Sequence, residues 1–340
     1  MRLLQNLAIL VAVVLLGVAW ATPSEASYFT EKTEPWGPLE GRNVIPLWNL
    51  FYVMPIEATT TLGQNHAKFF TSFDLVSIDE KNNNPRFQMA HDMEVYRTGF
   101  NLTYGILDNV DVHVELPFIG FGNGILDGFT GWYHENLLFG AGSRSGADDQ
   151  FSYRASANGQ NIYAFTPRQF EISDVNVDVK WQVVKETNAL PAVAVRAGLK
   201  IPTGDYAEGT GSGEFDYGFG ISAAKSFNRF HIFGGFDFSI IEDPQALRAF
   251  IDGEIYHWYL GGEFALVKDY LSYITQLEFQ TTPTVETGLG QFDRPIFEIN
   301  PGFKGSFLNR RIQWRASLRE DIIPNSTADY TASFSLGFQI

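Results

Sequence analysis

Three features are scarce or missing in this sequence: cysteine, long hydrophobic segments and basic residues. The 340 residues include no cysteine, so an exported form of the chain gains no stability from disulfide bonds. After the N-terminal region, no segment approaches the ~18 consecutive apolar residues that a transmembrane helix needs. With 24 basic and 39 acidic residues the net charge is −15, which argues against nucleic acid as a partner.

The N-terminal region is expected to be a cleaved secretory signal peptide, residues 1–26. Arg2 precedes an almost wholly apolar run from Leu7 to Val18, which is shorter than a transmembrane helix normally requires. Small residues suit cleavage after Ala21 or after Ala26, and the second site is preferred. An uncleaved signal anchor is the alternative.

Aromatic residues are abundant, at 15% of the chain with 30 Phe, as expected where side chains face lipid. From Tyr330 to Ile340, apolar residues alternate with small or polar ones, which predicts a strand with one apolar face. Such a terminal strand is typical of a barrel in the bacterial outer membrane. We expect its outward side to contact lipid and lipopolysaccharide, and the strand itself to engage the barrel-assembly machinery.

From about residue 67 the sequence repeats a unit of roughly ten alternating residues followed by a turn or loop. The clearest unit alternates Val175, Val177, Val179, Trp181 and Val183 with Asp174, Asn176, Asp178, Lys180 and Gln182. Twelve such units predict an all-β fold, a closed antiparallel transmembrane barrel over residues 66–340. Short links, as near Asp108 and Asn228, alternate with longer ones, as near Asn83. Splitting or merging one hairpin would change the count to ten or fourteen.

Four segments resemble a family of Gram-negative outer-membrane β-barrels that is known only as a domain of unknown function (DUF3187). These segments are Val44–Pro55, Ile125–Glu135, Leu199–Asp205 and Arg319–Ile323. The resemblance extends from about residue 44 to the end of the chain. It implies the barrel fold, and it implies no substrate, reaction or cofactor.

The stretch from 119 to 168 is far longer than the ~12–15 residues beyond which loops usually have a function or are disordered. Near-helical spacing of apolar residues predicts a short amphipathic helix on the outer side of the barrel. These residues are Ile125, Leu126, Phe129, Trp132, Tyr133, Leu137 and Leu138. The helix could fold inward as a constriction, cover the mouth as a lid, or pack on the rim. The second half, residues 140–160, is predicted to be a mobile loop.

Residues 27–65 precede the first strand and form a periplasmic or plug segment. Their prolines exclude a regular strand, and their aromatic content is too high for a free tail. We expect Val44–Met54 to enter the lumen as a plug. Docking on the periplasmic rim, or binding another protein, is the alternative. We predict that Trp48 and Phe51 of this segment, with Phe129 and Trp132 of the long loop, line the route through the barrel.

The strand phasing directs charges of both signs into the lumen. The residues singled out are Arg97, Asp111, Glu115, Asp178, Lys180, Arg196, Lys200 and Arg315. Opposite charges can pair across a narrow lumen, whereas a wide ion-selective pore has an excess of one sign. A barrel of this strand number has an intermediate bore. The pattern therefore favours a narrow or gated conduit over a general porin.

Catalysis is not predicted, and neither is a cofactor or a metal. His113, His231 and His257 all point inward, without a nucleophile that the phasing brings to them. The favoured function is passive or gated passage of a small, amphipathic or apolar solute. The alternatives are a structural or partner-binding barrel and, less favoured, an outer-membrane lipid-modifying enzyme.

Overall fold

The computed structural model describes residues 28–45, 47–124, 150–242, 244, 247–284, 287–322, 328 and 330–340. The predicted signal peptide and the predicted loop helix with Phe129 and Trp132 lie outside these residues. Within the described residues, no helix has the length and apolar character needed to cross a membrane.

In the described part of the chain, fifteen antiparallel strands make up one sheet. They are β1 Ala67–Asn83, β2 Phe87–Leu107, β3 Val110–Gly122, β4 Ser152–Ala157, β5 Gln160–Phe165, β6 Arg168–Ile172, β7 Val175–Val184, β8 Ala192–Ile201, β9 Asp216–Phe227, β10 Phe230–Ile240, β11 Glu254–Val267, β12 Leu271–Gln280, β13 Ile296–Phe307, β14 Ile312–Asp321 and β15 Tyr330–Gln339. Short helical turns occur at Trp48–Leu50, Tyr206–Glu208 and Gly290–Asp293.

Twelve of these strands close into a barrel, which confirms the predicted fold. β1 pairs with β2, β2 with β3 and β3 with β7, and the order then follows the chain to β15. β15 pairs back onto β1, with Phe338 opposite Phe69. Closure leaves no unpaired strand edge around the wall, which is the condition for a sheet to span a membrane.

The two faces of the wall differ as the alternation predicts. On the outside, Leu102 is 47% exposed and Trp181 is 51% exposed. Next to Trp181 in sequence, the inward Lys180 is only 6% exposed. The outer surface is therefore an apolar band suited to lipid, and the lumen side is polar.

The links sort into two ends of the barrel. One end, here called the turn end, carries the short links 108–109, 228–229, 268–270 and 308–311, together with the start of β1 and the end of β15. The opposite end, the loop end, carries the links that follow β3, β8, β10, β12 and β14.

The link between β1 and β2 differs from the prediction. It is short, residues 84–86, because both strands continue well beyond the neighbouring strands, with Asn83 opposite Gln88. Val76, Ser77 and Ile78 are all buried, so both faces of β1 are covered where the extension leaves the wall, whereas Lys81 and Asn83 near its end are exposed. A strand covered on both faces loses the alternation by which it is recognised.

The prediction of a mobile loop over residues 140–160 is also wrong where the structure describes it. β4 and β5 form a hairpin there, and β4 extends the sheet along β2, with Ala157 opposite Phe87. The hairpin turn has positive φ at Asn158 (51°) and Gly159 (78°). Asn-Gly is a strong sequence signal for this type of turn, and it was available in the sequence.

The orientation of the barrel can be tested by cysteine labelling on intact cells. We expect Asn83→Cys, at the loop end, to react with a membrane-impermeant maleimide, because short links face the periplasm in such barrels. Asn228→Cys, at the turn end, should react only after the outer membrane is permeabilised. The reverse pattern would show that the barrel is inserted in the opposite sense.

Candidate functional site

Residues 28–64, here called the plug segment, run from the turn end into the lumen and back. Near the turn end, Arg229 Nε donates to the carbonyl of Tyr28 (2.7 Å). The middle of the segment reaches the loop-end hairpin, where the Leu47 amide donates to the hydroxyl of Tyr153 (2.7 Å). The two arms meet where the Ile56 amide donates to the carbonyl of Gly41 (3.0 Å).

The predicted route residues Trp48 and Phe51 are enclosed within the barrel. Their exposed fractions are 4% and 1%. Both belong to an apolar cluster at the loop end that includes Tyr153 and Phe292, and the rings of Trp48 and Phe292 are 5.2 Å apart. In this arrangement they line no open path among the residues that the structure describes.

Glycines in the wall make room for the plug segment. Gly198 on β8 lies opposite Gly218 on β9. A Cβ at Gly218 would lie 2.5 Å from the ring of Tyr52 and 2.6 Å from Met54, and a Cβ at Gly198 would overlap the Tyr52 hydroxyl. Because the missing side chains are what admit Tyr52, this part of the wall is shaped to the plug segment.

The wall charges satisfy the irregular backbone of the plug segment. Wall carboxylates accept from its amides, as Glu263 does from Trp36 (2.9 Å) and Asp216 from Tyr52 (2.9 Å). Wall cations donate to its carbonyls, as Lys200 does to Leu50 (2.9 Å). Backbone that lies outside regular structure needs such partners when it is buried.

All eight charged residues singled out from the sequence lie on the inner face, with exposed fractions between 1% and 7%. Several pair with their neighbours on the wall. Arg97 contacts Glu115 at 2.7 Å, and Lys180 contacts Asp111 at 3.4 Å. Arg196 pairs with Asp237, and Arg315 with a carboxylate of the plug segment. The lumen is thus lined by ion pairs of balanced sign.

The carboxylate that Arg315 contacts is Glu40, which bridges the plug segment to three wall cations. Its oxygens lie 2.9 Å from Lys68, 3.1 Å from Arg315 and 3.7 Å from Lys304. Burial alone would raise the pKa of Glu40, but these cations outweigh burial and hold the pKa of Glu40 well below its usual range. Glu40 was not singled out from the sequence because no periodicity marks a residue in an irregular segment.

A cavity of about 120 Å³ lies between the plug segment and the wall formed by β1, β2, β3 and β7. Arg42 lines it, and the buried Nε and Nη1 atoms of this guanidinium have no hydrogen-bond partner among the described residues. Burial, together with neighbouring Arg97, lowers the pKa of Arg42 to about 10, so Arg42 is a cation at neutral pH.

The three inward histidines contact different partners. His113 Nδ1 lies 3.1 Å from Glu57 of the plug segment, and His231 Nε2 lies 3.0 Å from Thr33. His257 Nδ1 lies 3.3 Å from Asp237 on the neighbouring strand.

The fold and the filled lumen define the class of protein: an outer-membrane-type β-barrel of twelve strands with an N-terminal plug-like segment. Within this class, the chain belongs to the family described as "Protein of unknown function (DUF3187)", which matches residues 14–340. No curated protein gives a significant match.

Two solved structures resemble this fold to different degrees. The COG4313 outer membrane channel from Pseudomonas putida F1 is 12% identical, with a TM-score of 0.56, and the match covers 85% of this chain and 100% of that one. The NanC porin is 6% identical, with a TM-score of 0.43, over 81% of this chain and 100% of that one. The first likeness supports the fold, and the second is too weak to support an argument.

We expect Gly198→Val and Gly218→Val to displace the plug segment, because each added side chain occupies space now filled by Tyr52. The measurement is limited trypsin digestion of the folded protein in detergent, in which cleavage after Lys32 and Arg42 should become at least several-fold faster. The matched control is Ala197→Val, whose side chain points outward on the same strand. Equal cleavage rates in all three variants would show that the glycines do not admit the plug segment.

The Glu40 contacts should persist in mild acid. A carboxyl whose folded pKa is depressed adds stability above its unfolded value of about 4.3, and this stability is lost as the pH falls through the folded value. Hydrogen-exchange protection of residues 36–42 should therefore be retained at about pH 5 and be reduced at neutral pH by Glu40→Gln. The control is Glu34→Gln, an exposed residue of the same segment. Unchanged protection in Glu40→Gln would contradict the assigned role of Glu40.

Proposed function

We propose that this protein is a narrow, gated, passive conduit of the outer membrane, and that the plug segment is its gate. The observation that carries this proposal is that the wall charges pair with one another as well as with the plug segment. Lys200, for example, lies 2.8 Å from Asp174 and 3.1 Å from Asp216, both on the wall. Such wall pairs therefore stay together when the plug segment is withdrawn, whereas Lys68, Lys304 and Arg315 lose their contacts with Glu40.

The plug segment is attached to the wall partly by hydrogen bonds that water can replace. Several of its contacts with the wall are hydrogen bonds to polar side chains, such as Gln276, which accepts from the Leu39 amide at 2.9 Å. Each such bond contributes only about 0.5–1.5 kcal/mol net, because water replaces it in a wetted lumen. A gate held in this way can open without unfolding the barrel.

The proposed solute is small and amphipathic or apolar. Movement of the plug segment would expose the apolar cluster that contains Trp48 and Phe51 at the loop end, above a lumen lined by paired charges. The balanced signs of those charges favour no strong ion selectivity. A solute with an apolar part and a polar part can contact both regions in turn.

The test is single-channel conductance of the refolded barrel in a planar bilayer, with and without residues 28–64. We expect conductance steps to appear or grow on deletion, because the deleted residues fill the lumen. Gly218→Val should give intermediate or more frequent openings, and Ala197→Val should behave as the native chain. Silence of both the full chain and the deletion, in preparations shown to be folded, would contradict the proposal.

A structural or partner-binding barrel is the second candidate, and one observation favours it. The extensions of β1 and β2, with the β4–β5 hairpin, form a packed platform beyond the barrel, in which His91 Nε2 lies 2.7 Å from the Tyr163 hydroxyl. Under this alternative, loss of the protein would weaken the cell envelope while solute uptake stays normal. The barrel without residues 28–64 would not conduct.

A further inference from the structure

We propose that Glu57, His113 and Asp178 form a binding site for one divalent transition-metal ion, with Zn²⁺ as the best-suited ion. Glu57 belongs to the plug segment, while His113 on β3 lies opposite Asp178 on β7. Nδ1 of His113 is 3.1 Å from a Glu57 oxygen and 3.8 Å from Oδ2 of Asp178, and the three ligand atoms lie within 4.8 Å of one another. Ligands at ~2.0–2.2 Å from a tetrahedral zinc ion are separated by similar distances.

The environment of His113 directs its Nδ1 atom into this cluster. Asn101 places its amide nitrogen 3.0 Å from the Gly99 carbonyl and its oxygen 3.2 Å from Nε2 of His113. With the amide in this orientation, Nε2 donates to Asn101. Without a metal, Nδ1 would donate its proton to Glu57 (3.1 Å), and a bound ion would take the place of that proton and leave the imidazole neutral. Metal-ligating histidines almost always donate their other N–H to such an oxygen, which fixes the tautomer.

The carboxylates are held in the same manner. Tyr52 donates to Oδ1 of Asp178, and Lys180 lies 3.4 Å from the second oxygen of Glu57. Asp178 is only 2% exposed, and its Oδ2 atom has no hydrogen-bond partner among the described residues. A buried carboxylate oxygen without a partner is costly, and a bound cation would satisfy it.

The charge around the cluster also fits a divalent ion. Glu57, Asp178 and nearby Asp111 carry three negative charges, and Lys180 carries one positive charge. Arg196 lies nearby and is paired with Asp237, so these two opposite charges are left out of the sum. With a neutral imidazole the group has a formal charge of −2, which one divalent ion would balance. Buried charges in proteins are normally paired or coordinate a metal.

One imidazole and two carboxylates are ligands that suit Zn²⁺ and neighbouring first-row ions. Glu57 and His113 line the cavity of about 120 Å³, so water can reach the remaining coordination position. A metal here would fasten the plug segment to the wall. That consequence rests on the proposed function, whereas the existence of the site does not.

The test is metal binding by the full chain, folded in detergent and freed of metal with EDTA. Calorimetric titration with Zn²⁺ should show one equivalent bound, and Co²⁺ should give the visible absorption bands of a four- or five-coordinate site. His113→Gln and Asp178→Asn should each weaken binding at least 100-fold. Tyr52→Phe should weaken it about 10- to 100-fold, because it removes a partner of a ligand. The matched control, His231→Gln, should bind as the native chain does.

Folding of each variant is checked by the difference in gel migration between heated and unheated samples. Absence of stoichiometric binding by the folded native chain would overturn the proposal, as would equal affinities of His113→Gln, Asp178→Asn and His231→Gln. The two proposals fail separately. If zinc binds but deletion of residues 28–64 leaves conductance unchanged, the metal site stands and the gated conduit does not. If zinc does not bind but the deletion raises conductance, the gated conduit stands and the metal site does not.

Discussion

Closure of the sheet between β15 and β1 is the constraint on which the rest of this structure depends. In lipid, every backbone amide and carbonyl needs a partner within the protein, and a barrel meets this need only when its first and last strands pair. Once the ring is closed, each strand has one face toward lipid and one toward the lumen. The same alternation that makes Trp181 an outward residue therefore fixes Lys180 and Arg196 inside.

The inward charges shape what can occupy the lumen. Because they include both donors and acceptors at close spacing, they can satisfy a stretch of chain that has no regular structure of its own. Asp216 illustrates this, since it accepts from the amide of Tyr52 and lies 3.1 Å from Lys200 at the same time. Residues of this kind keep a partner on the wall if the plug segment is withdrawn, which the proposed gate requires.

The sequence predicts the structure well where a segment has lipid on one face and the polar lumen on the other. The twelve wall strands were predictable because lipid and a polar lumen impose a period of two, and the inward position of residues such as Arg97 follows from it. The extensions of β1 and β2 were missed because both of their faces are covered where they leave the wall. The path of the plug segment and the contacts of Glu40 and Glu57 could not be derived, since irregular chain has no period, and their partners lie far away in sequence.

Gly198 and Gly218 have a consequence for the shape of an emptied lumen. They face each other across β8 and β9, and the space above them is filled by Tyr52 of the plug segment. Without the plug segment, Gly218 presents bare backbone to the interior, and the Asp178 carboxylate of the adjacent strand still lies over Gly198. An emptied lumen would therefore be widened on this side by a shallow groove. The lining of the groove would include peptide groups as well as ion pairs.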